Sequence, residues 1–209
     1  MTASSIILLR HGVTDWNDGG RFQGHADIPL NDTGREQATA AGALLRDAGI
    51  TRAVSSDLSR AAETAQLVTA QLSAATGGLE VQTDERLREV NVGSWAGMSV
   101  DDIGKEEPDF WPALREGRDF PRSPTGESAT QAGQRVALAV LDHAEAAADG
   151  EVLLVVGHGL SLRVGALLLM GLDYSHARLF GGLGNCHWMV LRPGEDHYRL
   201  LSYNVGAAD

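Results

Sequence analysis

The sequence predicts an α/β protein, a three-layer sandwich with a mostly parallel central sheet flanked by helices. Short aliphatic runs, typical of buried strands, alternate along the chain with longer segments whose apolar residues recur at helical spacing. Strands that alternate with helices in this way indicate a sheet covered on both faces. No repeat occurs at the periods of solenoid proteins, and 209 residues suffice for one domain with a sizeable core. We therefore expect a single domain over residues 1–209.

Composition and charge limit the classes of function. The chain is 43% hydrophobic and 22% charged, which is typical of a globular protein. Its net charge of -11 argues against a nucleic-acid partner or an anionic membrane surface, so an anionic substrate would require a local cluster of basic groups. No apolar run is long enough for a membrane helix and the N-terminus does not resemble a signal peptide, so we expect a cytoplasmic protein. Cys186 is the only cysteine, which excludes an intrachain disulfide.

The first half of the chain is predicted to contain three strands and two helices. The strands are expected at residues 6–9, 50–55 and 79–83, and the helices at residues 33–48 and 59–75. Thr33 and Glu36 have the spacing of a capping box, which predicts Thr33 as the N-cap of the first helix. Gly49 is predicted to end that helix.

The second half is predicted to begin with an insertion over one face of the sheet, at about residues 100–124. This segment is acidic and irregular, with weak helical character, and its four prolines are expected to act as breaks. Beyond it we expect helices at residues 129–148 and 160–170 and strands at residues 151–157, 187–191 and 198–203.

Two histidine–glycine pairs follow predicted buried strands. His11 and Gly12 come after the first strand, and His158 and Gly159 come after the strand at residues 151–157. Sites in such sheets lie beyond the carboxyl ends of the strands, and neighbouring parallel strands would place both histidines at one edge. A lone histidine at a strand end is more often structural. Two such histidines, one preceded by Arg10, give equal support to a functional site and to a structural role.

Arginine and glutamate residues complete a candidate phosphate site. Arginine suits phosphate because its planar guanidinium donates two hydrogen bonds at once. Arg10 precedes the first histidine, and Arg60 enters the first turn of a predicted helix, where anions are favoured. Without these neighbours, Arg60 would be interpreted as a solvated surface residue. Glu89 lies among apolar residues and is the candidate acid, whereas Glu85 is interpreted as a solvated partner of Arg86.

Five segments, in order, resemble the motifs of the histidine phosphatase superfamily in its phosphoglycerate-mutase-like branch. "LLRHGVTDWN" resembles the R-H-G-x-T-x-x-N signature, and "RFQGHADIPLNDTGREQA" resembles the next motif along the chain. "VSSDLSRAAETA" is similar to the second arginine motif, "RLREVNVGSWAG" to the acid motif and "VVGHG" to the second histidine motif. The resemblance covers nearly the whole chain.

The resemblance implies a role for each matching residue. His11 would be the nucleophile that becomes phosphohistidine, and Glu89 would be the proton donor. The residues implied to hold the phosphoryl group or line the substrate pocket are Arg10, Asn17, Gln23, Gly24, Arg60, His158 and Gly159. The family uses no metal, which fits the absence of closely spaced ligand sets in the sequence, and we expect no cofactor. The remaining histidines, interpreted as ordinary surface or packing residues, are His25, His143, His176, His187 and His197.

Within the family, departures from the mutase pattern favour a phosphatase of small phosphomonoesters. The mutase acid motif E-R-H-Y-G is here E-V-N-V-G, with Val90 and Val92 in place of an arginine and an aromatic residue. The insertion is acidic, although Arg115, Arg118 and Arg122 remain as candidate partners of a substrate carboxylate or as surface charges.

Two short segments, "RLREVNVGSWAGM" and "GGLGNCHW", are similar to actinobacterial glucosyl-3-phosphoglycerate phosphatases, which suggests a phosphorylated sugar or glycerate as the small-metabolite partner. A cofactor-dependent phosphoglycerate mutase, a non-catalytic phospholigand-binding module and a metal-dependent hydrolase stay open as alternatives. A homodimer is plausible from the resemblance only.

Overall fold

The computed structural model describes residues 3–72 and 79–207 and confirms the α/β fold with a mostly parallel central sheet. The strands are β1 (Ser5–Arg10), β2 (Ile50–Ser55), β3 (Val81–Thr83), β4 (Val152–Gly157), β5 (Trp188–Arg192) and β6 (Arg199–Val205). They lie in the order β3-β2-β4-β1-β5-β6. The first four pair in parallel, whereas β5 and β6 are antiparallel to their neighbours.

Helices connect these strands and cover the sheet. They are α1 (Asp15–Asp18), α2 (Asp32–Leu44), α3 (Ser59–Thr69), α4 (Val100–Glu106), α5 (Phe110–Glu116), α6 (Ala129–Glu145) and α7 (Gly159–Leu169). The end of the helix predicted at residues 59–75 lies partly outside the described residues. In the part of the chain that the structure describes, none of the helices is long and apolar enough to span a membrane.

Alternate residues of the strands face opposite layers, as the period of two in a strand requires. In β1, Ile6 and Leu8 belong to a core cluster that includes residues of α6 and α7. Ile7 and Leu9 belong to a second cluster that includes residues of α2 and α3. Strand β1 is therefore buried on both faces, and its polar residues, Ser5 and Arg10, lie at its two ends.

The prediction of Thr33 as an N-cap is wrong. Asn31 is the N-cap of α2, and its side-chain oxygen accepts the backbone N–H of Gly34 at 2.9 Å. Asparagine is an excellent cap, and hydrogen bonds from Asn31 to Asp15 and Asp18 also hold its side chain. The helix consequently begins earlier than the capping-box spacing indicated, and it ends at Leu44, before Gly49.

The insertion is more regular than predicted, because it forms α4 and α5. Pro112 was expected to break a helix, but it lies in the first turn of α5, where a backbone N–H has no intrahelical partner to lose. The aromatic rings of Phe22, Trp95, Phe110 and Phe120 pack edge to face around the segment. An apolar cluster of its own thus gives this acidic segment a defined structure.

Candidate active site

The two histidine–glycine pairs meet at one edge of the sheet, as the sequence predicted. Strands β1 and β4 are parallel neighbours, with Arg10 opposite Gly157, and the His11 N–H donates to the Gly157 carbonyl at 2.9 Å. The histidines that follow these strands have ring centroids 5.1 Å apart at an angle of 62°. Both His11 and His158 are buried.

Close backbone approach explains Gly12. A Cβ atom at this position would lie 2.4 Å from the carbonyl oxygen of Gly34, in the first turn of α2. The Gly12 N–H donates to the Thr64 hydroxyl of α3 at 3.1 Å. The turn after β1 is therefore fixed by two helices, because glycine lets α2 pack directly against it.

The His11 ring is neutral, and its hydrogen bonding defines its tautomer. Burial lowers the pKa of His11 well below 6.5, and the charges of Arg10 and Arg60 lower it further. Nδ1 lies 2.6 Å from the Gly12 carbonyl oxygen, which can only accept a hydrogen bond. The proton of the neutral ring therefore lies on Nδ1, and the lone pair is on Nε2.

His158 has one satisfied ring nitrogen and one unsatisfied one. Its Nε2 lies 3.0 Å from the Ser56 hydroxyl, at the end of β2, whereas its Nδ1 is buried without a hydrogen-bond partner. Burial lowers the pKa of His158 well below 6.5, with a further contribution from the charge of Arg60. Buried ring nitrogens are normally hydrogen-bonded, so an unpaired one beside His11 indicates a place for a ligand.

Arg10 and Arg60 bring two positive charges to the histidines. Arg10 donates to the Leu183 carbonyl at 2.6 Å, and Arg60 donates to the Ala26 and Gly24 carbonyls at 2.8 Å each. Burial lowers the pKa of Arg60 to about 10, so it stays protonated near neutral pH. In both arginines the Nε atom is buried and unpaired.

Glu89 accepts three backbone N–H groups. Its Oε1 accepts from Val90 at 2.8 Å and from Ser161 at 2.9 Å, and its Oε2 accepts from Leu160 at 3.1 Å. Ser161 and Leu160 lie in the first turn of α7, where the helix N-terminus favours an anion. The carboxylate is thereby placed at the wall of the same cavity as His11.

A cavity of about 230 Å³ connects these groups. The predicted site residues that line it are Arg10, His11, Asn17, Gln23, Gly24, Arg60 and Glu89. His158 and Gly159 are not among its lining residues. A Cβ atom on Gly159 would lie 3.2 Å from the Nε atom of Arg10, so this glycine makes room for the arginine side chain.

Other residues, which the sequence analysis did not place in the site, also line the cavity. They are Gly20, Arg21, Phe22, Val90, Val92, Val100, Arg122 and Leu160. Of the three arginines considered in the insertion, Arg122 reaches the cavity, whereas Arg118 forms ion pairs with Asp109 and Glu116 and is exposed. The guanidinium of Arg122 lies over the Phe120 ring, 4.2 Å from its centroid. Three arginines within one short segment gave no signal that would single out Arg122.

The other histidines are mostly remote from the cavity, but His25 is an exception. Its Nε2 lies 2.9 Å from the backbone carbonyl oxygen of Glu89, so it contacts the segment that presents the acid. Among the described residues, no cluster of three or more His, Cys, Asp or Glu side chains is arranged to hold a metal ion.

Comparisons with known proteins agree with this geometry. The family model "Histidine phosphatase superfamily (branch 1)" matches residues 6–206. The probable phosphoglycerate mutase GpmB of Yersinia pestis (strain Pestoides F) is 37% identical over 181 residues, covering 87% of this chain and 81% of the relative.

Two groups of solved structures are similar along their whole length. A mycobacterial glucosyl-3-phosphoglycerate phosphatase in complex with VO3 is 32% identical, with a TM-score of 0.84 over 98% of this chain and 100% of that one. A phosphoserine phosphatase from Entamoeba histolytica in complex with 3-phosphoglyceric acid is 27% identical, with a TM-score of 0.84 over 99% of this chain and 98% of that one. Together with the family match over nearly the whole sequence, these similarities show that the chain belongs to the histidine phosphatase superfamily.

Proposed function

We propose that this protein is a phosphatase that hydrolyses small phosphomonoesters through a phosphohistidine intermediate on His11. The observation that carries the proposal is a neutral imidazole, with its lone pair on Nε2, between two charged arginines. A nucleophile must be unprotonated, and the dianionic phosphoryl group requires positive charge around it. Arg10 and Arg60 supply that charge locally, although the net charge of the chain is -11.

In the first step, Nε2 of His11 attacks phosphorus while the bond between phosphorus and the ester oxygen breaks. Glu89 gives its proton to the departing oxygen, which leaves as an alcohol. Arg10 and Arg60, which line the cavity, are the groups available to the phosphoryl oxygens, and we assign His158, whose buried Nδ1 is unpaired, to the same role. Because these groups are fixed by the fold, they need little rearrangement as charge develops.

In the second step, water attacks the phosphorus of the phosphohistidine. Glu89, now a carboxylate, takes a proton from this water, and the bond between phosphorus and Nε2 breaks. His11 and inorganic phosphate are the products. Covalent catalysis in this form divides one difficult displacement into two easier ones.

The lining of the cavity favours a phosphatase over a mutase. Val90 and Val92 contribute aliphatic groups to it, in place of the arginine and the aromatic residue of the mutase acid motif. Besides Arg10 and Arg60, the cavity is lined by Arg21 and Arg122, the cations available to a second anionic group of the substrate, such as a carboxylate. A phosphorylated sugar or glycerate is therefore the substrate class we propose, with cofactor-dependent phosphoglycerate mutase as the second candidate, supported by the probable mutase among the relatives.

Phosphate release from p-nitrophenyl phosphate by the wild type and the H11A variant tests the reaction type. We expect H11A to abolish turnover, while H176A, a change at an exposed histidine remote from the cavity, keeps it. Substantial turnover by H11A would refute the nucleophile assignment.

A screen of phosphorylated metabolites tests the substrate class. It includes 3-phosphoglycerate and its glucosyl derivative, and mutase activity on 3-phosphoglycerate is assayed in parallel. Conversion of 3-phosphoglycerate to 2-phosphoglycerate faster than phosphate release would favour the mutase instead.

A further inference from the structure

Arg135 of α6 uses every hydrogen-bond donor that an arginine has. Nη1 donates to the carbonyls of Arg86 at 2.8 Å and Arg88 at 2.6 Å. Nη2 donates to the carbonyl of Glu89 at 2.6 Å and to Glu127 Oε1 at 2.5 Å, and Nε donates to Glu127 Oε2 at 3.3 Å. One guanidinium thus gathers three carbonyls of a short loop segment and both oxygens of one carboxylate.

Glu127 extends this attachment along the same segment. Its Oε1 also accepts the backbone N–H of Asn91 at 2.8 Å, and its own N–H donates to the Asn91 carbonyl at 2.9 Å. The backbone is therefore held on both sides of Glu89, by Arg135 up to residue 89 and by Glu127 at residue 91. Neither Arg135 nor Glu127 lines the cavity, so neither is in a position to contact a substrate there.

The attachment has a direct consequence for the Glu89 carboxylate. On the cavity side, that carboxylate is held only through backbone N–H groups of Val90 and the first turn of α7. Its position relative to His11 also depends on the backbone at residue 89, whose carbonyl oxygen contacts both Arg135 Nη2 and His25 Nε2. We propose that Arg135, together with Glu127, is a positioning residue that aims the acid Glu89 at the leaving oxygen of the substrate.

The inference rests on the proposed function, because it assigns a partner to the proposed proton donor. A lysine could not replace Arg135, since one ammonium has three donors and no planar geometry to reach three carbonyls and a carboxylate together. If Arg135 served stability alone, its loss would lower the activity on all substrates by the same factor. If it aims Glu89, its loss will matter most for substrates whose leaving oxygen needs a proton.

Leaving-group dependence separates these two roles. The test compares kcat/KM, which reports the step that forms phosphohistidine, for p-nitrophenyl phosphate and for glycerol 2-phosphate. Nitrophenolate leaves with little help, whereas an alkoxide needs general-acid catalysis, which contributes about 10²–10⁴-fold. For R135Q we expect a loss of about 10- to 100-fold on glycerol 2-phosphate and of less than about 3-fold on p-nitrophenyl phosphate.

Three further variants make the result interpretable. V140A shortens a fully buried side chain of the same helix that makes none of the hydrogen bonds to the loop, so it destabilises the fold while the activity ratio of the two substrates should be unchanged. R135K should reproduce the defect of R135Q. If R135Q does not fold, E127Q removes the carboxylate partner of the guanidinium and should change the substrate ratio in the same direction.

The variant E89Q distinguishes failure of this inference from failure of the proposed function. If E89Q is selectively impaired on glycerol 2-phosphate and R135Q and E127Q lower both activities equally, the positioning role is refuted and the proposed function stands. If E89Q shows no leaving-group dependence, Glu89 is not the proton donor, and both the assignment and its positioning residue are refuted.

Discussion

Stability should fall measurably in mild acid because two histidines are buried in neutral form. The pKa values of His11 and His158 lie well below 6.5 in the folded protein, mainly because of burial. In the unfolded chain both would titrate near 6.5. Between these limits the unfolded state binds more protons than the folded state, so the free energy of unfolding decreases as pH decreases through this window. Above pH 6.5 both states are neutral at these positions, and the contribution vanishes.

The size of this decrease in the free energy of unfolding depends on how many histidine rings stay neutral in the folded protein. For one histidine that stays neutral in the folded state, lowering the pH from 7 to 5.5 stabilises the unfolded state by about 1.2 kcal/mol. Two such rings give about 2.5 kcal/mol, the limit reached when both folded pKa values lie below 5.5. That is a large fraction of the 5–15 kcal/mol of stability of a typical domain. Both side chains are buried, so solvent screening does not diminish the effect.

Urea unfolding at pH 7 and pH 5.5 measures this decrease in the free energy of unfolding. The buffer contains no phosphate, because a bound anion would stabilise the folded state. The variants H11N and H158N should each lose about half of the pH dependence, and the double variant should lose most of it. R46Q, a substitution at an exposed arginine, keeps both rings and should match the wild type. His25, whose pKa is also lowered, contributes in the same direction but cancels in these comparisons. Equal pH dependence in all variants would refute the neutral histidine pair, and with it the basis of the proposed nucleophile.

Three other predictions concern the reaction. Protein labelled with a radioactive phosphoryl group should lose the label in acid and keep it in base, as phosphohistidine does; an acid-stable, base-labile label would indicate an acyl phosphate. E89Q should lower kcat by about 10²–10⁴-fold and change phosphate affinity much less, as measured by steady-state kinetics and by calorimetry. Equal effects on kcat and on phosphate affinity would contradict a proton-transfer role. Excess chelator should leave activity unchanged; a loss that an added metal ion restores would support the metal-dependent hydrolase.

Most of the fold could be predicted because it depends on local patterns. The apolar runs of β1 and β4 are continuous, as expected for strands buried on both faces, and the limits of β1, β2 and β4 differ little from the predicted ones. Capping was less predictable. Thr33 satisfied a local spacing rule, but Asn31 is also held by Asp15 and Asp18, and sequence spacing does not reveal these contacts. In the insertion the sequence indicated only weak helical character, because its prolines and acidic residues do not reveal the aromatic cluster that stabilises the two short helices.

The candidate site was predictable to the extent that topology determines it. Parallel pairing of two strands is enough to bring His11 and His158 together, since each directly follows its strand. Arg122 could not be selected from sequence, because its place in the cavity depends on how Phe120 and the rest of the insertion pack. Arg135 gave no signal either, since three of its four partner residues are bound through backbone carbonyls 46 to 49 residues away, which have no side-chain signature.

These two missed arginines show why chemistry and specificity depend on different parts of the chain. Arg10, His11 and His158 lie at the ends of β1 and β4, and Arg60 lies in the first turn of α3, so the sheet fixes their positions. The position of Arg122 depends on the insertion, whose aromatic cluster contains no residue of β1 or β4. Arg135 links the two, because α6 belongs to the core while its guanidinium holds the loop that carries the acid. Changes in the insertion should therefore alter which phosphomonoester is accepted, whereas changes at Arg135 should alter how well the leaving oxygen is protonated, for every substrate that needs a proton.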